Sequence, residues 1–215
     1  MATFDRISTP IESRIATGFA RINTAMRAKA WAQAAANGLT PTQADILHLL
    51  ASRNASLRLS AIAEQLAITP ATASDAVSAL VSKDLVEKGR APDDGRAIAL
   101  KLTKTGARLA VTVPDWSGFL GAAAETLSKE EQAVMLKLII KMIRELQERG
   151  DIPVNRMCVS CQYFGPNEHD DPRTPHHCHF VNAPFGDQHL RLDCPEHKEA
   201  EKTIQLRNWA TFAAP

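Results

Sequence analysis

Residues 94–106 have the sequence DGRAIALKLTKTG. The apolar residues at 98, 100 and 102 alternate with alanine or lysine, which is the period of a strand with one buried face. Residues 92–95, Pro-Asp-Asp-Gly, have the composition of a tight turn. The sequence therefore predicts a β-hairpin with strands at residues 85–91 and 97–102.

Upstream of this hairpin, two helices are predicted from their periodicity and their ends. Apolar residues recur every three or four positions from Phe4 to Ala30, and the helix should end at residues 37 and 38, Asn-Gly, a pair typical of a left-handed C-cap. A second helix should begin at residues 40–43, Thr-Pro-Thr-Gln, because threonine caps, proline suits the first helical position and glutamine bonds back to the cap.

Two shorter helices follow directly before the hairpin. Ser60 can cap a helix through Leu66, and Thr69 followed by proline starts another that runs to about Lys83. The short connection between them predicts a helix-turn-helix. Together with the hairpin as its wing, this segment is expected to form a winged helix.

Downstream of the hairpin, the pattern changes near residue 150. Residues 103–127 are predicted to be helical with a break at Pro114, and residues 128–131, Ser-Lys-Glu-Glu, form a capping box that opens a further helix ending at Gly150. From 151 to about 195 no periodicity survives and six prolines exclude long elements, before a last helix at about 196–209. We therefore expect two domains, 1–150 and 151–215, in a mainly α fold with a small β-hairpin wing and a loop-rich, four-cysteine C-terminal segment.

Charge and composition divide the chain at the same place. Residues 1–150 contain 19 Lys and Arg against 15 Asp and Glu, whereas residues 151–215 contain six against nine, all four cysteines and six of the seven histidines. The N-terminus lacks the apolar stretch of a secretory signal, and the longest apolar run, at about residues 136–143, contains two lysines and is too short to cross a bilayer. We expect a cytoplasmic protein without a membrane partner, where cysteines more often bind metal than form disulfides.

The order of elements, together with the D-x-R turn and the following Leu-Thr-x-x-Gly at residues 102–106, resembles the MarR family of winged helix-turn-helix transcription regulators over about residues 5–149. The resemblance implies a homodimer joined through its first and last long helices. It also implies that residues 69–83 enter the major groove of double-stranded DNA, with the wing near the minor groove, at a pseudo-palindromic operator.

Several side chains are candidates for the DNA contact. Hydroxyls on the recognition helix can reach bases or phosphates, a lysine at its end can reach the backbone, and an arginine at the wing tip suits the minor groove with an aspartate to orient it. These candidates are Thr72, Ser74, Ser78, Lys83, Asp94 and Arg96. The alternative is that the hydroxyls are only solvated and that the Asp94–Arg96 pair is a salt bridge that stabilises the hairpin.

The recognition helix departs from the family pattern because Asp75 stands where relatives often carry arginine. An exposed carboxylate there either accepts from a cytosine amino group or repels phosphate. We expect positive charge to come instead from neighbouring elements, making DNA binding strongly salt-dependent. The basic residues concerned are Arg53, Arg58, Lys88, Arg90, Lys101 and Lys104.

The four cysteines, Cys158, Cys161, Cys178 and Cys194, consist of one close pair and two single residues at gaps of 16 and 15. A zinc ribbon usually has two close pairs, so this spacing favours an iron–sulfur cluster, in which each thiolate needs to reach only one iron corner. A proline follows the last cysteine, as in bacterial cluster motifs, and nearby aromatic residues can exclude water. Those aromatics are Tyr163, Phe164, Phe180 and Phe185.

This pattern is similar to the cluster-binding segment of high-potential iron–sulfur proteins, over residues 158–194. The resemblance implies that the four cysteines ligate one [4Fe-4S] cluster, and a [2Fe-2S] cluster is possible with the same ligands. The alternatives are a Zn2+ site, in which His176, His177, His179 or His197 replaces a distant cysteine, and disulfides or free thiols. The histidines at 169, 176, 177, 179, 189 and 197 otherwise lie on the surface or support the ligands.

No nucleotide-binding loop, nucleophile motif, H-E-x-x-H or carboxylate dyad occurs, so we do not expect an enzyme. The hypothesis is a MarR-type regulator whose cluster senses redox state, nitric oxide, oxygen or iron and thereby changes DNA binding. One alternative is a small-molecule-responsive regulator with a structural zinc site. The other is a cluster-bearing interaction or electron-transfer module that does not bind DNA.

Overall fold

The computed structural model describes residues 8–53, 55–90, 98–112 and 118–214. Within these residues the chain is mainly helical, with two small antiparallel sheets, in agreement with the predicted fold class. The helices are α1 (Ile11–Ala36), α2 (Pro41–Arg53), α3 (Leu59–Gln65), α4 (Pro70–Ser82), α5 (Lys104–Thr112), α6 (Gly118–Ala124), α7 (Lys129–Glu148) and α8 (Lys202–Ala213). The strands are β1 (Leu57–Arg58), β2 (Val86–Arg90), β3 (Ile98–Leu102), β4 (Phe164–Gly165), β5 (His176–Cys178) and β6 (Ala183–Phe185).

The helix ends follow the capping signals in the sequence. After α1, Gly38 has a φ of +65°, the left-handed conformation expected of a C-cap. At α2 the Thr40 hydroxyl accepts from the Gln43 N–H while the Gln43 side chain accepts from the Thr40 N–H, both at 3.3 Å. Ser128 and Glu131 form the same reciprocal capping box at α7. These three predicted boundaries are confirmed.

The wing strands belong to a three-stranded sheet in the order β1-β3-β2. Both predicted strands are present, with Val86 opposite Leu102 and Leu57 of β1 opposite Leu100. Strand β1 was not predicted, because two residues are too few to show a period. The predicted turn at residues 92–95 and the two candidate DNA-binding residues of the wing, Asp94 and Arg96, lie outside the described residues.

The Leu-Thr-x-x-Gly motif has a clear structural role at the start of α5. The Thr103 hydroxyl donates to the Asp84 carbonyl at 2.7 Å and accepts from the Gly106 N–H at 2.9 Å. A Cβ atom at Gly106 would overlap the carbonyl oxygen of Leu85. The motif therefore joins α5 closely to the backbone that leads into β2, and only glycine leaves room for this approach.

The chain forms two compact units, Met1–Leu59 with Ala73–Leu120, and Ser60–Thr72 with Gly121–Pro215. The core of the first unit is apolar and comes from its helices and the wing sheet. Its fully buried members include Ile46, Leu47, Val77, Leu80, Val86 and Leu100. This is an ordinary core of the kind that the periodic sequence pattern predicts.

In the second unit, α7 shares a core with the cysteine-containing segment. Ile140 of α7 packs with residues of the segment and with Phe212 of α8. Two polar contacts add to this packing: the Lys141 ammonium donates to the Ala213 carbonyl at 3.1 Å, and Arg144 lies over the Trp209 ring at 4.7 Å. The helix that sequence analysis counted with residues 1–150 is therefore packed against residues 151–215.

An apolar stripe lies on the other side of α7 and is mostly exposed. Val134, Met135, Leu138, Met142 and Leu146 are between 37% and 58% exposed in the single chain. Helix α1 likewise exposes Ile11, Ile15 and Phe19. Large apolar side chains aligned on a helix face are typical of a surface that a partner covers.

Candidate functional site

Helix α4 exposes a polar side that contains three of the predicted DNA-binding residues. Thr72, Ser74 and Ser78 are exposed, whereas the apolar residues Ala73, Ala76, Val77 and Leu80 are buried. Ser74 and Ser78 are four residues apart and therefore lie on the same helix face. Asp75 is exposed beside them, so the negative charge noted in the sequence is on the side of α4 that faces solvent.

Two of the candidates also make contacts within the chain. The Thr72 and Thr69 hydroxyl oxygens are 2.8 Å apart, and Thr69 caps the helix by accepting from the Thr72 N–H. The Lys83 ammonium donates to the Gly38 carbonyl at 2.6 Å and to the Gln43 side chain at 2.9 Å. Lys83 thus fixes the α1–α2 connection to the end of α4, and its phosphate contact stays a prediction.

The basic residues expected to supply positive charge are spread over the same unit. Lys88 and Arg90 are exposed on β2, and Lys104 is exposed at the start of α5. Lys101 forms an exposed ion pair with Glu87 at 3.1 Å. The glutamate charge lowers the positive potential that Lys101 presents to DNA. Arg53 ends α2 and Arg58 lies in β1.

All four cysteines line a single cavity of about 310 Å3 in the second unit. Cys158 and Cys161 lie at the ends of one 3-10 turn, which closes when the Cys161 N–H donates to the Cys158 carbonyl at 2.9 Å. Cys178 is the last residue of β5, opposite Phe164 of β4. The Cys194 N–H donates to the Arg156 carbonyl at 2.9 Å. The fold thus brings together thiols from three separate stretches of chain.

Aromatic side chains form much of the remaining wall of this cavity. Tyr163, Phe164, Phe180 and Phe185, named from the sequence as candidates to exclude water, all line it. Phe164 packs edge-on against the Phe212 ring, and Tyr163 lies 5.5 Å from Phe180 between ring centroids. The cavity is therefore apolar except for the thiols and a few polar side chains at its edge.

Arg191 contacts two of the four sulfurs. Its backbone N–H donates to the Cys158 Sγ at 3.3 Å, and its guanidinium lies 3.7 Å from the Cys194 Sγ. Burial raises the pKa of the Cys158 thiol to about 11; the Arg191 N–H opposes this shift and the other three cysteines add to it. A metal that binds Cys158 at neutral pH must therefore displace a proton.

The thiols are arranged differently from a site for one metal ion. All four cysteines lie in the described residues and are free of disulfides. Sulfurs bound to one Zn2+ at about 2.3 Å would have to lie within about 4 Å of one another. Among the described residues, no three His, Cys, Asp or Glu side chains are gathered closely enough to hold one ion. The kind of group that these thiols bind stays a prediction.

The histidines mostly bond to other protein groups. His176 is fully buried, its Nε2 lies 2.8 Å from an Asp187 carboxylate oxygen, and its Nδ1 accepts from the Asn167 N–H. The Ser160 hydroxyl lies 3.0 Å from the His197 Nε2. His169 and His177 are bonded to each other at 3.0 Å between ring nitrogens, and His179 pairs with Glu168. His189 lines the cavity.

One network and one arginine were missed by sequence reasoning. Asp187 also accepts from the Lys137 ammonium of α7 at 3.3 Å, so His176, Asp187 and Lys137 form a continuous polar chain. Arg191 was not singled out either. Neither has a local sequence signal, because these contacts join residues that are distant in the sequence and follow no repeated spacing.

The helix pair α3 and α4, followed by the β2–β3 hairpin, defines a winged helix-turn-helix fold. Residues 37–97 match a sequence model of the MarR family, and the chain therefore carries a MarR-family winged-helix domain. No curated protein sequence matches the chain. No helix among the described residues is long and apolar enough to cross a membrane.

Solved structures similar to the chain include two of S. aureus MepR. The MepR–DNA complex is 25% identical, over 61% of this chain and 97% of MepR, with a TM-score of 0.54. MepR in its DNA-binding conformation is 25% identical, over 61% of this chain and 98% of MepR, with a TM-score of 0.55. A point mutant of Lactococcus lactis ZitR is 30% identical, over 50% of this chain and 75% of that one, with a TM-score of 0.37.

Proposed function

We propose that this protein is a dimeric MarR-type transcription regulator whose DNA binding is controlled by an iron–sulfur cluster held by Cys158, Cys161, Cys178 and Cys194. The observation that carries the proposal is that all four cysteines line one cavity, in a unit whose core includes α7. Four thiols from three separate stretches of chain around one apolar cavity are the donor set that a cluster needs.

The DNA-binding part of the proposal is supported by the similarity to MepR, which is solved in complex with DNA. The exposed polar side of α4 offers Thr72, Ser74 and Ser78 to a major groove, as such helices do in winged-helix dimers. The exposed apolar faces of α1 and α7 suit a homodimer, because a second copy would cover both. The target is then a pseudo-palindromic operator.

The cluster itself is proposed as [4Fe-4S], with [2Fe-2S] as the alternative for the same four ligands. When bound, such a cluster supplies a one-electron redox centre whose assembly depends on iron supply and oxidant exposure. The chain's own residues orient the sulfurs: the 3-10 turn fixes Cys158 and Cys161, and strand β5 fixes Cys178. The aromatic walls limit access of water, which protects the group from hydrolysis and sets its environment.

Control of DNA binding is proposed to pass through α7. One side of this helix is bonded to the cysteine segment through Lys137, Lys141 and Arg144, and its other side carries the exposed apolar stripe. A change around the cavity would alter how α7 is held, and hence how two copies meet. Because the spacing of two recognition helices must match one turn of DNA, such a change would alter operator affinity.

The decisive experiment is purification without air, followed by an absorption spectrum and by iron and sulfide assays. We expect a brown protein with absorption near about 400 nm and about four iron and four sulfide per chain. A colourless protein with one zinc would contradict the cluster and favour a structural zinc site. About two iron per chain would instead identify a [2Fe-2S] cluster.

DNA binding is tested by mobility shift with DNA from upstream of the gene. The Arg96→Ala variant should weaken binding, since an arginine at the wing tip suits the minor groove, and binding should fall steeply with salt. Exposure of the loaded protein to air should change the affinity. A loaded protein that shows no affinity for this DNA would favour the electron-transfer or interaction module.

A small-molecule-responsive regulator is the second candidate, and one cavity favours it. A space of about 330 Å3 lies between α1 and α2, with Met26, Arg27 and Trp31 on one side and Pro41 and Thr42 on the other. Its tryptophan suits an aromatic ring, and Arg27 and Asp45 suit polar substituents on that ring. Release from DNA by polar aromatic compounds, in protein with its cysteine site unchanged, would support this candidate.

A further inference from the structure

We infer that Arg191 sets the redox potential of the cluster proposed above, by placing a positive charge and a hydrogen-bond donor at two of its four sulfur ligands. The inference rests on the proposed function. Arg191 is not one of the four ligands, but it determines the potential at which the cluster accepts an electron.

The contacts of Arg191 are the first observation. One residue reaches Cys158 through its backbone N–H at 3.3 Å and Cys194 through its guanidinium at 3.7 Å. These cysteines belong to different segments of the chain, so Arg191 lies where two walls of the cavity meet. Arg191 also lines the cavity itself.

The other cations nearby are already engaged. The Arg156 guanidinium bonds to Asp193 at 2.6 Å, and the Lys198 ammonium lies over the Tyr163 ring at 5.9 Å. Among the residues that the structure describes, the Arg191 guanidinium instead has a thiol as its hydrogen-bond partner. Its positive charge therefore acts directly on the sulfurs.

The direction of the effect follows from the charge balance. Reduction adds one electron from an external reductant, so the cluster with its thiolates becomes more negative by one unit and no bond needs to form or break. A fixed positive charge stabilises the reduced form more than the oxidised form and so raises the potential. Donation to thiolate sulfur acts in the same direction. Because Arg191 is exposed, solvent screens part of this effect.

The test is a reductive titration of the anaerobically purified full-length protein with dithionite and mediator dyes. Arg191→Gln should shift the redox equilibrium about three- to fivefold toward the oxidised form, which is about 30 to 40 mV at 59 mV per decade. Arg191→Lys should keep most of the wild-type potential. Arg173→Gln is the matched control, since this exposed guanidinium pairs with Asp171; it should leave the potential unchanged.

Salt provides a second readout that a purely structural role would not move. The difference between wild type and Arg191→Gln should shrink as ionic strength rises from about 10 mM to about 1 M, because screening removes a charge effect but not a change in shape. An unchanged potential in loaded Arg191→Gln, or an equal shift in Arg173→Gln, would overturn the role of Arg191 but not the proposed cluster.

Loading is measured in every variant by iron and sulfide content, which separates the two hypotheses. If wild type takes up no cluster, the proposed function fails. If only Arg191→Gln fails to load, Arg191→Met, which keeps the aliphatic part of the side chain without its charge, is used instead. Loss of the cluster in both neutral variants would mean that Arg191 holds the ligands in place, and this too would overturn the tuning role.

Discussion

The two units of this chain are stabilised in different ways. Of the buried polar side chains among the described residues, Gln43 alone belongs to the first unit, whereas Arg144, Ser160, His176, Gln205 and Asn208 belong to the second. The first unit buries apolar faces of helices and strands. The second unit buries hydrogen-bonded polar groups around short strands and a cavity, and such networks are stable only when every member is satisfied.

This difference indicates that a bound group would affect the second unit more than the first. Strands β4, β5 and β6 contain two or three residues each, too few to be stable without support from other elements. One support is visible, the polar chain that joins β5 to α7, and the proposed cluster would add a second by joining the four thiols. We therefore expect the stability of the second unit to depend on the proposed cluster and that of the first unit to be independent of it.

The largest effect is expected for Cys178→Ser, which breaks the ligand set. The variant should lose its visible absorption and iron, and amide exchange in residues 151–195 should become faster while α2 and α4 stay protected. Absorbance, iron assay and hydrogen exchange measure this. Ser160→Ala is the control, because it changes a neighbouring buried hydroxyl without removing a thiol. Retained colour in Cys178→Ser would remove Cys178 from the ligand set.

Gly106→Ala tests the stability of the first unit, which should not depend on the cysteine site. The new Cβ would overlap the Leu85 carbonyl, which is backbone and cannot move aside cheaply, so unfolding should become easier by about 2 kcal/mol or more. Gly89→Ala is the control, since Gly89 belongs to the same unit and no atom lies within 4 Å of its Cβ position. Urea unfolding measures both variants. Equal stability of the two would contradict the close approach, and loss of the cysteine site in Gly106→Ala would contradict the independence of the units.

Asp187→Asn tests the polar chain of the second unit and predicts a pH dependence. Burial alone would raise the pKa of Asp187, but the hydrogen bond from His176 and the charge of Lys137 outweigh it, so the pKa lies below its usual value. The ionised carboxylate therefore contributes stability above pH of about 4, and this is lost as pH falls through the lowered folded-state pKa.

At pH 7 the Asp187→Asn variant should be destabilised by about 1 kcal/mol, after allowance for partial exposure, and the difference from wild type should narrow below about pH 4. Urea unfolding followed at several pH values measures this. Asp171→Asn is the control, because its partner Arg173 is fully on the surface. A difference that does not depend on pH would show that the ionised form of Asp187 is not what stabilises the unit.

The smallest effect is expected for Asp75→Asn, on the exposed side of α4. Removing one negative charge should raise affinity for upstream DNA about threefold at low salt and less at high salt. Glu64→Gln, in α3, controls for the change of net charge. Mobility shift at two salt concentrations measures both. Weaker binding by Asp75→Asn would instead show that this carboxylate accepts a hydrogen bond from a base.

The first unit was largely predictable because its information is local. The capping signal at Thr40, the left-handed Gly38 and the pattern that predicts β3 each act within a few residues, and these boundaries agree with the structure. The predicted buried face of β3 is only partly right, because Ile98 is 63% exposed whereas Ala99 and Leu100 are buried. Strand β1 escaped because it is too short. The last helix begins at Lys202 rather than near residue 196, since residues 196–201 are used in loop contacts, such as that of Ala200 with Ser160.

The sequence named the four thiols and the aromatic residues that line the cavity, but not the polar contacts around it. Cysteine spacing alone named the four thiols, and the aromatic residues near them were named from their type. Arg191 and the link from Asp187 to α7 were not foreseen, because a charged residue has the same sequence signature whether it is solvated or bonded within the protein. Only the tertiary structure, which brings distant loops into contact, shows whether such a residue is solvated or bonded.

By itself, the sequence determined the winged helix, the helix boundaries and a set of four cysteines, because periodicity, capping and residue chemistry act over short distances. The tertiary structure decided that these cysteines share one apolar cavity and that α7 packs against them rather than only serving the N-terminal part. It also decided that Lys83 is bonded within the chain. Each of these depends on which surfaces meet, and long-range packing leaves no periodic mark in the order of residues.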